Sequence, residues 1–259
     1  MVIALRTPEQ IERIRRAGRI VRRVLDRLGE MIAPGLTTKE LDVEAERLCG
    51  ELGGQCLFKG VPGRAGAGPF PGAICASLNE QVVHGIPSRR RFRNGDIVSV
   101  DFGARFEGWC GDAAQTFLVG ELDPRTRRLV DVTRNALALA IGMCKPGEKW
   151  SSIARAVQEY VEGESFSVVR EFVGHGIGCE MHEEPKLPNF VSPELQRNDV
   201  VLAEGMILAV EPMVNMGSPA VEYEPDGWTV VTRDRLPSAH FEHSVAVTAA
   251  GADVLTDGR

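Results

Sequence analysis

Four carboxylates stand inside stretches that otherwise read as buried strands: Asp101 in IVSVDFGA, Asp112 in WCGDAAQTF, Glu211 in ILAVEPMV and Glu242 in AHFEHSVAV. Burying an ionised carboxylate is unfavourable unless it is paired or bound to a metal. One such residue is ordinarily an edge position or half of an ion pair. Four in one chain restrict the fold to one that gathers them at a common site. The histidines point the same way. All five follow residue 83, in VVHGIP (82–87), GHGIGCEMHEEP (174–185) and SAHFEH (238–243).

Asp101 and Asp112 close a segment, D-FGARFEGWCG-D, that reads as two strands joined near Arg105–Gly108. A turn centred between Phe106 and Glu107 sets the two aspartates directly opposite on one face, where Cβ atoms lie about 4.5–5.5 Å apart. Two ionised carboxylates that close repel. Either one keeps a proton, as in an acid dyad, or a divalent cation lies between them. Oxygen-rich ligation with one or two histidines suits Mn, Fe(II), Co or Zn. An excess of carboxylates over the needs of one ion points to two ions, bridged by shared carboxylates and a water. His175 and His182 lie in a glycine-rich run that argues against a helix and for close backbone approach. His240 shares the strand face of Glu242 and its role is left open; His243 faces the other way and reads as structural.

The remaining sequence describes an ordinary globular chain. Its 259 residues are 43% hydrophobic and 25% charged, which excludes wholesale disorder. The net charge of −6 argues against nucleic acid as the main substrate. No apolar run reaches membrane-spanning length, and the N-terminus turns charged too early for a signal peptide. Six cysteines without a CxxC pair exclude a zinc ribbon and suit reduced thiols in the cytoplasm. Thr7 with Gln10, and Thr37 with Glu40, form capping boxes ahead of helices running to Pro34-Gly35 and to about Leu52. Strands are expected at 73–78, 96–104 and 109–119, helices at 124–144 and 150–162, and strands at 167–173, 206–214, 228–232 and 240–248. Helices followed by strands occur twice, which suggests an α/β fold of two related halves around one sheet, a single domain over 1–259. Residues 1–35 carry eight arginines against four acids, and RRRFR follows at 89–93. These runs read as solvated faces or, more sharply, as a contact with ribosomal RNA.

The ordered series VVHGIP, SVDFG, GWCGDAAQTF, GHGIG-xxx-HEEP, VEPM and FEHSVAVT resembles type I methionine aminopeptidase from about Pro8 to Leu255. The resemblance implies the pita-bread fold, two α/β halves around a curved, mainly antiparallel sheet with helices outside. It implies a hydrolase that removes the N-terminal methionine of nascent polypeptides, preferring a small second residue, by a metal-bridged hydroxide. By the same resemblance Asp101, Asp112, His175, Glu211 and Glu242 ligate two divalent ions (Co, Mn, Fe(II) or Zn), and Glu211 is the general base. His84 and His182 face the substrate, and Phe58, Phe70, Cys75, Met181 and Trp228 wall the methionine pocket. A cytoplasmic monomer, with a ribosome contact through the basic first helix, is expected. The alternatives are an X-Pro aminopeptidase and an inactive peptide- or RNA-binding relative. Prolidases normally carry an extra N-terminal domain, and type II enzymes an insertion for which the 28 residues between His182 and Glu211 leave no room.

Overall fold

The computed structural model describes residues 3–64 and 66–259. Met1 and Val2, in the segment read as no signal peptide, and Ala65, in the Gly/Pro loop 61–72, lie outside it.

Both capping boxes form. Helix α1 (Pro8–Met31) starts with the Thr7 side chain accepting from the Gln10 N–H, and α2 (Thr38–Glu51) starts the same way with Thr37 and Glu40. The apolar stripe of α1 buries Ile14, Val21, Leu25 and Leu28. Helices α1 and α2 cover a four-stranded sheet of Gln55–Cys56, Ile97–Phe106, Cys75–Leu78 and Trp109–Leu118. Helices α3 (Pro124–Met143) and α4 (Trp150–Gly163) cover the second half around Trp150, Ile153, Leu129 and Val210. Its sheet has the order Gly251–Val254, His243–Thr248, Ile207–Val210, Gly174–Gly176, Glu183–Leu187. Two three-stranded sheets complete the fold: Ser238–His240, Met213–Asn215 and Ser167–Val168, then Val221–Tyr223, Val230–Thr232 and Gln81–Val83. The pairings among these strands are antiparallel. Among the described residues the hydrogen bonding divides into four sheets.

Two expected strands break at the same level. The run 206–214 stops after Val210 and resumes at Met213, because Pro212 has no N–H to continue the ladder. The run 240–248 divides into Ser238–His240 and His243–Thr248. At that break the Glu242 backbone turns to the other half: its N–H donates to Ala114 O at 2.9 Å, and the Ala114 N–H returns a bond at 3.3 Å. Each chain switches sheet at its break, and each break carries one of the acidic residues singled out in the sequence. The expected strand 167–173 is likewise only Ser167–Val168, with Gly174–Gly176 following in another sheet.

The hairpin register differs from the expected one. Phe106 pairs with Trp109, so the turn is Glu107-Gly108, both with positive φ (48° and 84°). That is the primed two-residue turn that matches strand twist and favours glycine second. Asp101 therefore opposes Ala114, and Asp112 opposes Gly103. A shift of two residues keeps both aspartates on one face but makes them diagonal neighbours.

Gly18 is where α1 touches the end of the chain: a Cβ there would lie 2.1 Å from the Leu255 carbonyl oxygen. Replacing glycine by alanine within a helix ordinarily gains about 1 kcal/mol. Here overpacking against backbone should outweigh that gain, and Gly18→Ala should destabilise by about 1–3 kcal/mol in urea unfolding. A stabilised variant would show that this contact does not constrain the fold.

Candidate metal centre and substrate cleft

A cavity of about 420 Å³ opens where the two halves meet. Its acidic wall consists of Asp101 and Asp112 from the first half and Glu211 and Glu242 from the second, with His175 beside them. Asp112, His175 and Glu242 each offer a donor atom within 4.8 Å of the others. Ser244 holds the two halves in register here, its hydroxyl donating to Asp112 O at 2.8 Å and accepting from the Asp112 N–H at 3.0 Å.

The side chains lack partners where a cation would supply one. Asp101 Oδ1, Asp112 Oδ1 and Glu242 Oε1 are buried without a hydrogen bond. Such orphaned atoms in a native fold call for a specific explanation, an ion among them. Burial, reinforced by the neighbouring acids, pushes Asp101, Glu211 and Glu242 well above the carboxylate range. Burial also raises Asp112 to about 7, although bonds from the Ala113 N–H and Asp101 oppose the rise. His175 presents a free ring nitrogen to the cluster. Its Nδ1 lies 2.9 Å from Gly176 O, an acceptor only, so Nδ1 carries the proton and the Nε2 lone pair is free. Nε2 lies 3.5 Å from Glu211 Oε1. Burial, then His182, lowers the His175 pKa to about 4, which keeps the ring neutral as ligation requires. A donor set of buried carboxylates and one neutral imidazole fits divalent cations.

The opposite wall is apolar. Phe58, Phe70, Cys75, Met181 and Trp228 pack together beside the carboxylates, with Phe70 and Trp228 edge to face at 5.1 Å. The Trp228 indole N–H donates to Gly68 O at 2.9 Å and ties this wall to the loop 61–72. His84 and His182 also line the cavity. His84 has left-handed backbone (φ 58°) and sits edge to face with Phe172 at 5.3 Å. Burial, then His182 and Arg64, brings its pKa down to about 4. His182 meets the His175 ring at 4.4 Å.

The structure adds His240, whose role the sequence left open, and Phe172, which sequence reasoning missed. His240 is buried in the cavity wall, with Nε2 unpartnered and 3.9 Å from Glu211 Oε2. His243 points away and bonds Thr256 Oγ1 at 2.8 Å. Gly174 and Gly176 owe their size to neighbouring strands: Cβ atoms there would lie 2.4 Å from Ala209 O and 2.2 Å from Glu184 O. The close approach read from these glycines is thus to backbone within the fold.

Residues 12–249 match the metallopeptidase family M24, and the chain belongs to that family. Methionine aminopeptidase 1 of Bacillus subtilis is 46% identical over 255 residues, 98% of this chain and 99% of its own. The methionine aminopeptidase of Escherichia coli K12 is 41% identical, covering 99% of this chain and 94% of its own. The crystal structure of the Thermotoga maritima methionine aminopeptidase matches with a TM-score of 0.92 at 43% identity, over 98% of this chain and 99% of that one. A prolidase from Pyrococcus furiosus matches with a TM-score of 0.75 at 22% identity, over 98% of this chain and 66% of its own, a likeness of fold alone. Within the family the chain takes its place among the type I methionine aminopeptidases, with their pita-bread fold.

The raised carboxylates have a thermodynamic consequence. Each holds its proton to a higher pH when folded than when unfolded, so the metal-free fold loses stability as pH rises through those values. The buried imidazoles act with the opposite sign. His84, His175 and His243 are held down to about 4 and His240 to about 3, so their contribution is complete above the ordinary value of 6.5. Above about pH 6.5 the carboxylates alone remain. Chelator-treated protein should lose thermal stability as pH rises from about 6.5 through about 7, the value to which Asp112 is raised, and protein saturated with Mn(II) should hold it. Parallel pH slopes for the two forms would contradict a metal role for this cluster.

Proposed function

We propose that residues 1–259 form a single catalytic unit that hydrolyses the peptide bond after an N-terminal methionine. Asp101, Asp112, His175, Glu211 and Glu242 hold two divalent ions of the Co, Mn, Fe(II) or Zn type. The observation that carries this reading is the junction in one cavity of orphaned buried carboxylate oxygens and an apolar wall. When bound, such ions activate water near neutral pH and polarise a carbonyl oxygen.

The chain's own residues supply the rest. Asp112 and Glu242, facing each other across the junction of the halves, are suited to bridge, and Asp101 to grip one side. Glu211, between His175 and His240, takes the proton of the attacking water on a carboxylate oxygen and passes it to the departing amine. His240 faces Glu211 with its unpartnered Nε2, 3.9 Å from Oε2, and a small closure of that gap would let it donate and orient the carboxylate. His182, on the exposed rim, donates to the developing oxyanion, and His84 holds the peptide nitrogen side. The carboxylate floor receives the free α-amine, which confines cleavage to N-termini. The methionine side chain lies against Phe58, Phe70, Cys75, Met181 and Trp228, and polarizable thioether–aromatic contact favours it there. A large second residue collides with His84 and Phe172.

The reading places the chain in the cytoplasm, as a monomer acting on nascent polypeptides; the six free thiols accord with that compartment. No helix among the described residues is long and apolar enough to cross a membrane. A ribosome contact through α1 would rest on Arg13 and Arg23. Of the other arginines in residues 1–35, Arg6, Arg15, Arg16, Arg19, Arg22 and Arg27 each meet a carboxylate.

Asp112→Ala should abolish turnover and lower bound metal together. His182→Ala should lower kcat by roughly 10²–10³-fold, the size of one oxyanion donor, with metal content unchanged. Loss of metal in His182→Ala would make that residue a ligand instead. Met-Gly, Met-Ala and Met-Ser peptides should be cleaved, Met-Leu, Met-Lys and Met-Glu poorly, and N-acetylated peptides not at all. Losing a required polar contact discriminates more strongly than added bulk. Efficient release from X-Pro substrates, or equal rates on Met-Gly and Met-Lys, would overturn the assignment.

A further inference from the structure

Arg6 lies outside the cavity, yet it is tied to the segment that carries His182 and Met181. Its backbone N–H donates to Gly205 O at 2.8 Å, just ahead of the α1 cap. Its guanidinium stacks over Trp109 at 5.3 Å and donates from Nη2 to Glu183 Oε2 at 2.5 Å. Both partners are largely buried, with side-chain exposures of 14% and 18%, so solvent screens this pair less than the surface pairs of α1. The second oxygen of Glu183 faces back along the chain. Glu183 Oε1 accepts from the N–H groups of Cys179 at 2.9 Å and Glu180 at 3.2 Å. One carboxylate therefore fastens both ends of the loop 179–183, and Arg6 fastens that carboxylate to the N-terminal arm. Gly178 completes the junction: a Cβ there would lie 2.4 Å from Arg6 Nη2 and 2.8 Å from Glu183 Oε1. The adjacent Cys110 N–H donates to Gly178 O at 2.8 Å, which seats the loop on the strand Trp109–Leu118.

We propose that Arg6 is a positioning residue: through Glu183 it sets the loop that presents His182 to the reacting carbonyl and Met181 to the methionine side chain. The inference rests on the substrate-facing role of His182 given above. Without the guanidinium, Glu183 keeps its two backbone donors and the pairing of its strand with Gly174–Gly176, and Arg105 still meets Glu180, but the Glu183 carboxylate loses the ion pair that fixes its side chain to the N-terminal arm. The loop can then shift relative to the carboxylate floor. Displacements of about 1 Å at a catalytic group lower rates by roughly 100-fold. Lysine restores a positive charge but neither the planar fork nor the stacking on Trp109, so it should rescue in part.

The test is a double-mutant cycle with metal-loaded, full-length protein. Arg6→Ala should lower kcat on Met-Gly-Met-Met roughly 10- to 100-fold. Bound metal should stay as in the parent protein, and Arg6→Lys should recover part of the loss. In the His182→Ala background the Arg6→Ala substitution should cost little further, because the group it positions is gone. Equal losses in both backgrounds, or an Arg6→Ala effect explained by lost metal or an unfolded fraction in thermal unfolding, would overturn the positioning role. If His182→Ala alone leaves kcat unchanged, the reading of His182 fails instead. In that case a persistent Arg6→Ala loss, rescued by lysine, would tie Arg6 to Met181 and appear in KM for Met against norleucine peptides. No such loss would end the proposal.

Discussion

The interaction on which this architecture turns is the mutual repulsion of four carboxylates withdrawn from water. Burial raises the proton affinity of all four, and neighbouring acids raise that of Asp101, Glu211 and Glu242 further, while Asp101 opposes the rise at Asp112. Among the described residues no arginine or lysine pairs with them: the Arg–carboxylate pairs lie elsewhere, along α1, α2 and the surface hairpins. Metal-free, such a cluster is stable only by taking up protons; divalent cations remove that requirement. The scaffold bears the cost through bonds between the halves, at Ala114–Glu242 and Ser244–Asp112.

The coincident strand breaks make this arrangement reachable. Asp101 and Asp112 reach the seam from unbroken strands of the first half, whereas the second half supplies its carboxylates where strands end. By stopping at Glu211-Pro212 and Phe241-Glu242 and resuming in a different sheet, both chains bring a carboxylate to the seam. The apolar wall then acts twice. By excluding water it strengthens each polar interaction in the cleft, and in the proposed reaction it also receives the methionine side chain.

Features set by local chemistry were the most legible. The capping boxes at Thr7 and Thr37 located the starts of two helices, since caps depend only on neighbours in sequence, whereas the first helix ends at Met31, short of Pro34-Gly35. The acidic residues were legible as anomalies in an apolar pattern, and the structure brings all four together with His175. The hairpin register was missed by two residues because Glu107 is an unusual first residue for a primed turn; Gly108 was the available clue. His240 stayed open because alternation within a strand says which residues share a face and not which sheet they face. The strand breaks and the wall contribution of Phe172 depend on tertiary packing. In the arginine-rich helix, composition counts charges without showing that Arg15 meets Asp253 and Arg16 meets Glu107 across the fold.

The central claim is that this carboxylate cluster exists to hold divalent cations. Anomalous diffraction from crystals grown with Mn(II) tests it directly. The account predicts two manganese peaks among Asp101, Asp112, His175, Glu211 and Glu242, with Asp112 and Glu242 each touching both. Full occupancy of manganese elsewhere on the protein with none in this cluster, or protonated carboxylates bonded to one another in its place, would contradict it.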